Sequence, residues 1–164
     1  MTETNIQNEQ DEFREYCRRW LEENRPGPTE VPLPQAAYEV TLEEHRQYLC
    51  DWQARCYEAQ LIATDVPREY GGHGHQHMQS IASAEVRRAK VPYFINWIGL
   101  GMTAPTLLTH GTEAQKKRFL PPIFNAEEIW CQGFSEPGAG SDLVSLQTSA
   151  IKDGDNWQIG RAHV

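Results

Sequence analysis

The sequence is short of positive charge. Its 15 Lys and Arg stand against 23 Asp and Glu, for a formal net charge of -8 and a pI near 5.2. Such an acidic balance repels nucleic-acid phosphates and anionic membrane surfaces, so no nucleic acid is expected as a partner. Long apolar runs are missing too. None approaches the roughly 18 residues of a membrane span, so no membrane insertion is expected. Residues 1–11 lack the basic and apolar regions of a signal peptide. Cysteine is scarce, at Cys17, Cys50, Cys56 and Cys131, and forms no CxxC pair. Reduced, mostly buried thiols in a cytoplasmic protein are the expectation, and not disulfides. No glycine run is followed by Lys-Ser or Lys-Thr, and none carries the third glycine of a dinucleotide fingerprint. A P-loop is thereby excluded, and a nicotinamide-binding Rossmann domain is not expected.

What is present is mostly helical in pattern. With 39% hydrophobic residues over 164, the chain can build one core, or one domain and part of another. After a frayed first ten residues, Phe13, Tyr16, Cys17, Trp20 and Leu21 mark one stripe of a helix over 12–24. Four prolines in 25–34 predict an extended connection. Thr41 and Glu44 have capping-box spacing, and Leu42, Leu49, Trp52, Cys56 and Ala59 continue a stripe to about Leu61. A third helix is expected over 76–89, with Met78, Ile81, Ala82 and Val86 inside. A more apolar one over 93–109 should kink or break at Gly99, Gly101 and Pro105. Thr112 and Gln115 form a second capping box, and Pro121-Pro122 should end that helix.

The pattern then turns to β. Residues 129–134 read as a strand, 147–152 alternate weakly, Asp153-Gly154-Asp155 is a turn, and 156–159 would return. The expected organisation is a helical domain over 1–126 and the start of a β domain over 127–159.

The run Phe-Ser-Glu-Pro-Gly-Ala-Gly-Ser-Asp at 134–142 carries the most chemistry. Glycines lack a Cβ, so backbone amides there can face an anion or ring oxygens. Ser135 and Ser141 add hydroxyls, and Asp142 could cap a following turn. A tight surface turn between strands would need the same composition, so both readings stand on the residues alone. His73, His75 and His77 lie two apart, but no Cys, Asp or Glu completes a metal set, and an exposed polar loop is expected. Glu127 and Glu128 point apart on a strand and read as a solvated turn. Arg87, Arg88 and Lys90 complement a helix C-terminus, with CoA binding as the weaker alternative.

Trp130-Cys131-Gln132-Gly133-Phe134-Ser135-Glu136-Pro137-Gly138-Ala139-Gly140-Ser141-Asp142-Leu143 resembles the flavin-binding strand and loop of acyl-CoA dehydrogenases. Pro67-Arg68-Glu69-Tyr70-Gly71-Gly72 and Gly111-Thr112-Glu113-Ala114-Gln115-Lys116 are similar to two further segments of that family, in the same order. The resemblance covers about residues 8–159. It implies a mainly α fold class: the N-terminal all-α domain of the acyl-CoA dehydrogenase type, followed by the first strands of a truncated β-barrel domain. It also implies FAD as cofactor, an acyl-CoA thioester as substrate, α,β-dehydrogenation as the reaction, and an electron-transfer flavoprotein or similar acceptor. The full-length protein would be a homo-oligomer. By position, Gln132, Phe134 and Ser135 would touch the isoalloxazine ring, and Gly140 and Ser141 would meet the cofactor. Ser141 would also contact the CoA arm. Where the family often carries an aromatic residue, this chain has Gln132. Residues 99–105 correspond to a wall of the acyl pocket or to a buried helix.

After Trp157-Gln158-Ile159 the family's Asn-Gly-x-Lys does not follow; the chain reads Gly160-Arg161-Ala162-His163-Val164 instead. ATC GGA AGA GCA CAC GTC, part of a common sequencing adapter, encodes Ile-Gly-Arg-Ala-His-Val. Residues 160–164 are therefore expected to be a non-native tail. No catalytic residue is assigned, since the family's glutamate base belongs to its C-terminal bundle. The chain is expected to be inactive as it stands. A same-fold flavin oxidase or monooxygenase and a non-catalytic helical binding module are the alternatives.

Overall fold

The computed structural model describes residues 3–160, so of the expected tail only Gly160 is described and the rest lies outside. The chain forms two compact units, Met1–Cys131 and Gln132–Val164. Among the described residues no helix is long and apolar enough to cross a membrane.

The first unit is helical. Helix α1 spans Glu3–Glu23, α2 Glu43–Glu58, α3 Gln79–Ala89, α4 Ala104–His110 and α5 Glu113–Phe124. Helix α1 starts well before the frayed stretch was expected to end. Its first turns are rich in polar helix formers, and Gln7 donates to Asp11 one turn on at 3.2 Å. The predicted stripe is its buried face: Cys17 and Leu21 are buried, with Phe13, Tyr16 and Trp20 packed alongside. Trp20 stacks on Trp52 of α2 with ring centroids 5.8 Å apart. Helix α2 begins one residue late for the Thr41 box. Leu42 is its N-cap and no side chain caps it. The Thr112 box of α5 does form, with Thr112 N–H donating to Gln115 Oε1 at 2.9 Å and Gln115 N–H to Thr112 Oγ1 at 3.3 Å.

Pro121-Pro122 does not end α5, which runs through both to Phe124. Leu120, Ile123 and Phe124 are all buried. Burying them, at about 1.5–3 kcal/mol each, offsets the roughly 3 kcal/mol that each of the two helix-interior prolines costs. The expected break in 93–109 is a π-helical turn, Gly99–Thr103, leading into α4 with Pro105 in its first turn. Pro105 has no N–H for Gly101, and the wider turn absorbs that missing bond.

The second unit contains a two-stranded antiparallel sheet, β1 (Ser149–Asp153) and β2 (Asn156–Gly160), turning at Gly154 with φ +59°. The strand expected over 129–134 does not form. A strand requires a neighbour to receive its amides, and the described residues offer that stretch none.

Helix α1 is pinned to α3 by one buried carboxylate. Glu85 takes both Arg18 Nε and Nη2 at 3.0 Å and Arg88 Nε at 2.5 Å, with Arg14 at 3.8 Å. Arg88 of the basic cluster is thus an ion-pair partner, while Lys90 closes α3 in the left-handed region. Arg18 above all, then Arg88, holds the Glu85 carboxyl below its ordinary range, against the opposing effect of burial. A lowered folded-state value stabilises the fold above the unfolded carboxylate range, near about pH 4.3. That contribution is lost as pH falls through the lowered value. Glu85→Gln should therefore cost about 2–3 kcal/mol at pH 7 and flatten the acid limb of stability. Urea unfolding at neutral and acid pH checks both; equal losses at pH 7 and pH 3 would contradict the assignment.

Candidate functional site

Two fully buried amides organise the first unit. Gln53 Nε2 donates to the carbonyls of Ile123 at 3.0 Å and Phe124 at 3.1 Å, and its Oε1 accepts from Asn96 N–H at 3.1 Å. Asn96 Nδ2 donates to the carbonyls of Ile123 at 3.0 Å and Glu128 at 2.8 Å. Its Oδ1 accepts from Trp130 N–H at 2.9 Å. The end of α5 and residues 128–130 are thus fixed in place. Glu128 contributes its carbonyl to this network and its carboxylate to Arg118 at 2.6 Å, which is more than the solvated turn expected of it. Gly99 lies directly over Asn96. A Cβ there would come within 2.4 Å of Oδ1 and 2.6 Å of Cγ and Nδ2.

The two supporting motifs meet each other. Tyr70 Oη donates to Glu113 Oε2 at 2.7 Å, and Lys116 Nζ sits 5.3 Å from the centroid of the Tyr70 ring. The bond to Glu113 pushes the Tyr70 phenol up to about 12. Gly71, at φ +81°, packs so closely that a Cβ would lie 2.9 Å from Pro121 Cγ, and a Cβ on Gly72 would lie 2.0 Å from the Val66 carbonyl oxygen. Both motifs join the 68–72 turn to α5.

The histidine loop that follows is not simply exposed. The His73 ring lies tilted against Tyr57, centroids 5.1 Å apart, with its Nε2 buried, and burial pushes its ring below the usual range. His75 Nε2 meets Gln60 Oε1 at 2.7 Å, and its ring lies beside Phe13. Only His77 is exposed. Among the described residues no His, Cys, Asp and Glu cluster could hold a metal. Cys17 and Cys56 are buried, Cys50 half-buried and Cys131 exposed, all free; burial pushes the Cys17 thiol up to about 11.

A cavity of about 480 Å³ opens within the first unit. Leu61, Ile62, Leu100, Gly101, Ala104 and Leu108 line much of it, so its wall includes the π-helical turn and the face of α4. Gly99 does not line it. Gly101 does, and a Cβ there would meet nothing within 4 Å. Of the 99–105 stretch expected to wall a pocket or to form a buried helix, Leu100, Gly101, Ala104 and Pro105 line this cavity, whereas sequence reasoning missed the Gln53–Asn96 pair. The signal for the pair was a lone amide set among large apolar neighbours, in Trp52-Gln53 and in Ile95-Asn96-Trp97.

The second unit carries every residue expected at the flavin. Glu136 and Ala139 exchange both backbone bonds, at 3.2 and 3.1 Å, so Pro137 and Gly138 form the corner. The buried Glu136 carboxylate accepts from Gln147 N–H at 2.9 Å, Thr148 N–H at 2.6 Å and the Thr148 hydroxyl. This ties the loop to the residues entering β1. Asp142 Oδ2 accepts from Ser145 Oγ at 2.5 Å across a short 3-10 turn, Leu143–Ser145. Gln132, Phe134, Ser135, Gly140 and Ser141 are all exposed, Phe134 by 67%. Among the described residues the amides of Gly138, Gly140 and Ser141 and the hydroxyls of Ser135 and Ser141 have no protein partner. Neither Gly138 nor Gly140 has positive φ. A Cβ on Gly138 would meet nothing within 4 Å, and one on Gly140 only Ser135 at 3.9 Å. The packing of the described residues therefore requires neither glycine. Free amides, free hydroxyls and an open aromatic face suit the oxygens, nitrogens and flat rings of a flavin, so the residues present fit FAD.

Residues 7–127 match the family described as "Acyl-CoA dehydrogenase, N-terminal domain". The chain is 40% identical over 154 residues to "Acyl-CoA dehydrogenase IpdE1" of Mycobacterium tuberculosis, covering 91% of this chain and 39% of that relative. It therefore spans well under half the length of such relatives. Its fold is similar to that in the ChsE4-ChsE5 complex from Mycobacterium tuberculosis, with TM-score 0.61, 29% identity, and 92% of this chain and 36% of that one covered. It is also similar to the "Tcur3481-Tcur3483 steroid ACAD G363A variant", with TM-score 0.64, 27% identity, and 93% and 38% covered.

The two glycines of the π-helical turn should respond oppositely to alanine. Gly99→Ala forces a methyl into a carboxamide that cannot move without breaking its bonds, and should destabilise by about 1–3 kcal/mol. Gly101→Ala should leave stability unchanged or raise it by up to about 1 kcal/mol. Chemical denaturation of both variants tests this; equal effects would remove the packing role given to Gly99.

Proposed function

The chain belongs to the acyl-CoA dehydrogenase family, and from that premise we propose that it serves a flavin-dependent α,β-dehydrogenation of an acyl-CoA thioester. Residues 1–126 act as the helical domain, and residues 127–159 as the opening of the flavin-binding β domain. The observation that carries the reading is the pair of glycines at 138 and 140: bare, unstrained, and flanked by donors that no described residue uses.

FAD, when bound, supplies the hydride acceptor. The chain's own residues hold and orient. Ser135 Oγ would donate to the polar edge of the ring system, Phe134 and Gln132 would lie along it, and the amides at Gly140 and Ser141 would meet the cofactor. Ser141 also reaches the CoA arm. Glu136 takes no part in binding. Its bonds to Gln147 and Thr148 keep the loop in one shape before any ligand arrives, which lowers the ordering cost of binding. The acyl group enters the cavity of about 480 Å³, a volume within the usual range for small-molecule sites. One structural relative is titled a steroid ACAD, and a bulky acyl group is the corresponding proposal here. An electron-transfer flavoprotein or similar acceptor would reoxidise the cofactor. One structural relative is a ChsE4-ChsE5 complex, and another is the paired Tcur3481-Tcur3483. They favour assembly with a second related chain over the homo-oligomer.

The test uses the chain joined to the middle and C-terminal segments that its relatives possess. That protein should purify yellow. Ser135→Ala should weaken FAD binding about tenfold, the worth of one hydrogen bond. Gly140→Ala should weaken it without lowering stability, because its methyl meets only Ser135 at ordinary distance. A colourless protein indifferent to added FAD would refute the flavin assignment. The 164 residues alone should be colourless and should not reduce a dye with acyl-CoA; a yellow, active chain would refute that division of labour.

A further inference from the structure

The main cavity is bounded on one side by aromatic residues. A second, smaller chamber of about 210 Å³ lies next to it, floored by residues 35–38. The two chambers share three lining residues, Tyr93, Phe94 and Trp97. We propose that these three side chains form a partition that sets how large an acyl group the protein admits, and that the chamber beyond is an annex for an apolar extension of that group. The proposal rests on reading the main cavity as the acyl site.

Volume decides what the second chamber is for. Small-molecule sites run from about 300 to 1,000 Å³. The main cavity falls in that range, and the annex falls below it. Alone, the annex is too small to serve as a site; joined to its neighbour, it lengthens one. The backbone beneath the partition is clamped. Tyr93 Oη donates to the Pro34 carbonyl at 3.1 Å, Trp52 Nε1 donates to the Pro92 carbonyl at 2.9 Å, and Asn96 N–H donates to Gln53 at 3.1 Å. Ile95 and Asn96, between the partition residues, are buried. The Tyr93 side chain is held by that bond to Pro34, while Phe94 is half-buried and Trp97 is 47% exposed. Shortening one of them should therefore merge the chambers without moving the main chain. Tyr38, 78% exposed on its own short turn, also lines the annex.

The experiment is a calorimetric series of straight-chain fatty acids, from octanoate to octadecanoate, on the wild-type chain, Phe94→Ala and Trp97→Ala. Each methylene admitted to an apolar chamber should tighten binding about fourfold. In the wild type that gain should stop at the length that fills the main cavity. In either variant it should continue for several carbons, with octadecanoate binding at least about tenfold tighter than to the wild type and octanoate nearly unchanged. Circular dichroism checks each fold, and the exposed Trp97 gives the variant least able to disturb it. An identical length profile in all three proteins, or no binding by any, would overturn the partition. Turnover of acyl-CoA thioesters by the yellow, full-length protein separates the two readings. A shifted acid profile without turnover keeps the partition and removes the dehydrogenase, and turnover with an unshifted profile does the reverse.

Discussion

Everything in the helical unit is arranged around two amides that water never reaches. An unsatisfied buried amide costs about 1–3 kcal/mol, and Gln53 and Asn96 avoid that cost only because four separate segments meet them at hydrogen-bond distance. Helix α2, the residues before the π-helical turn, the end of α5 and the chain at 128–130 must all be in register at once. Apolar packing alone tolerates sliding, and this network does not. It also dictates the π-helical turn's first residue, since only a glycine clears the Asn96 carboxamide. The shape of the cavity wall thus follows from a polar pair buried behind it.

Local patterns were legible in the sequence and distant pairings were not. The stripe of α1, the Thr112 box and the turn at Gly154 each depend on residues within a few positions of one another, and each is present. Thr41 shows the limit of such patterns: the box spacing is there, but the helix starts one residue later. Pro121 and Pro122 were outweighed by burial of their neighbours. The glycine loop was legible as an open, donor-rich bend. Its fastening by Glu136 was not, because the partners lie 11 and 12 residues on. Gln53 and Asn96 are 43 residues apart and reach carbonyls as far as 71 residues away. The strand pattern at 129–134 is real in the sequence, yet a strand is a property of two segments, and the described chain supplies one.

The second unit differs in kind. Its exposed Phe134, Leu143, Val144, Trp157 and Ile159 leave little apolar surface covered, so its order comes from the Glu136 bonds and one short sheet. What the glycine loop has is preparation: a fixed bend whose unused donors cost nothing while they face water.

The meeting of Tyr70 with Glu113 and of Gly71 with Pro121 changes what two of the three recognised motifs signify. They are the two halves of a clasp between a turn and a helix, and neither touches the cavity. Their contacts serve the folding of the helical domain. A descendant that had abandoned catalysis and kept only this scaffold would still carry both halves, and would lose the freedom to vary either one alone.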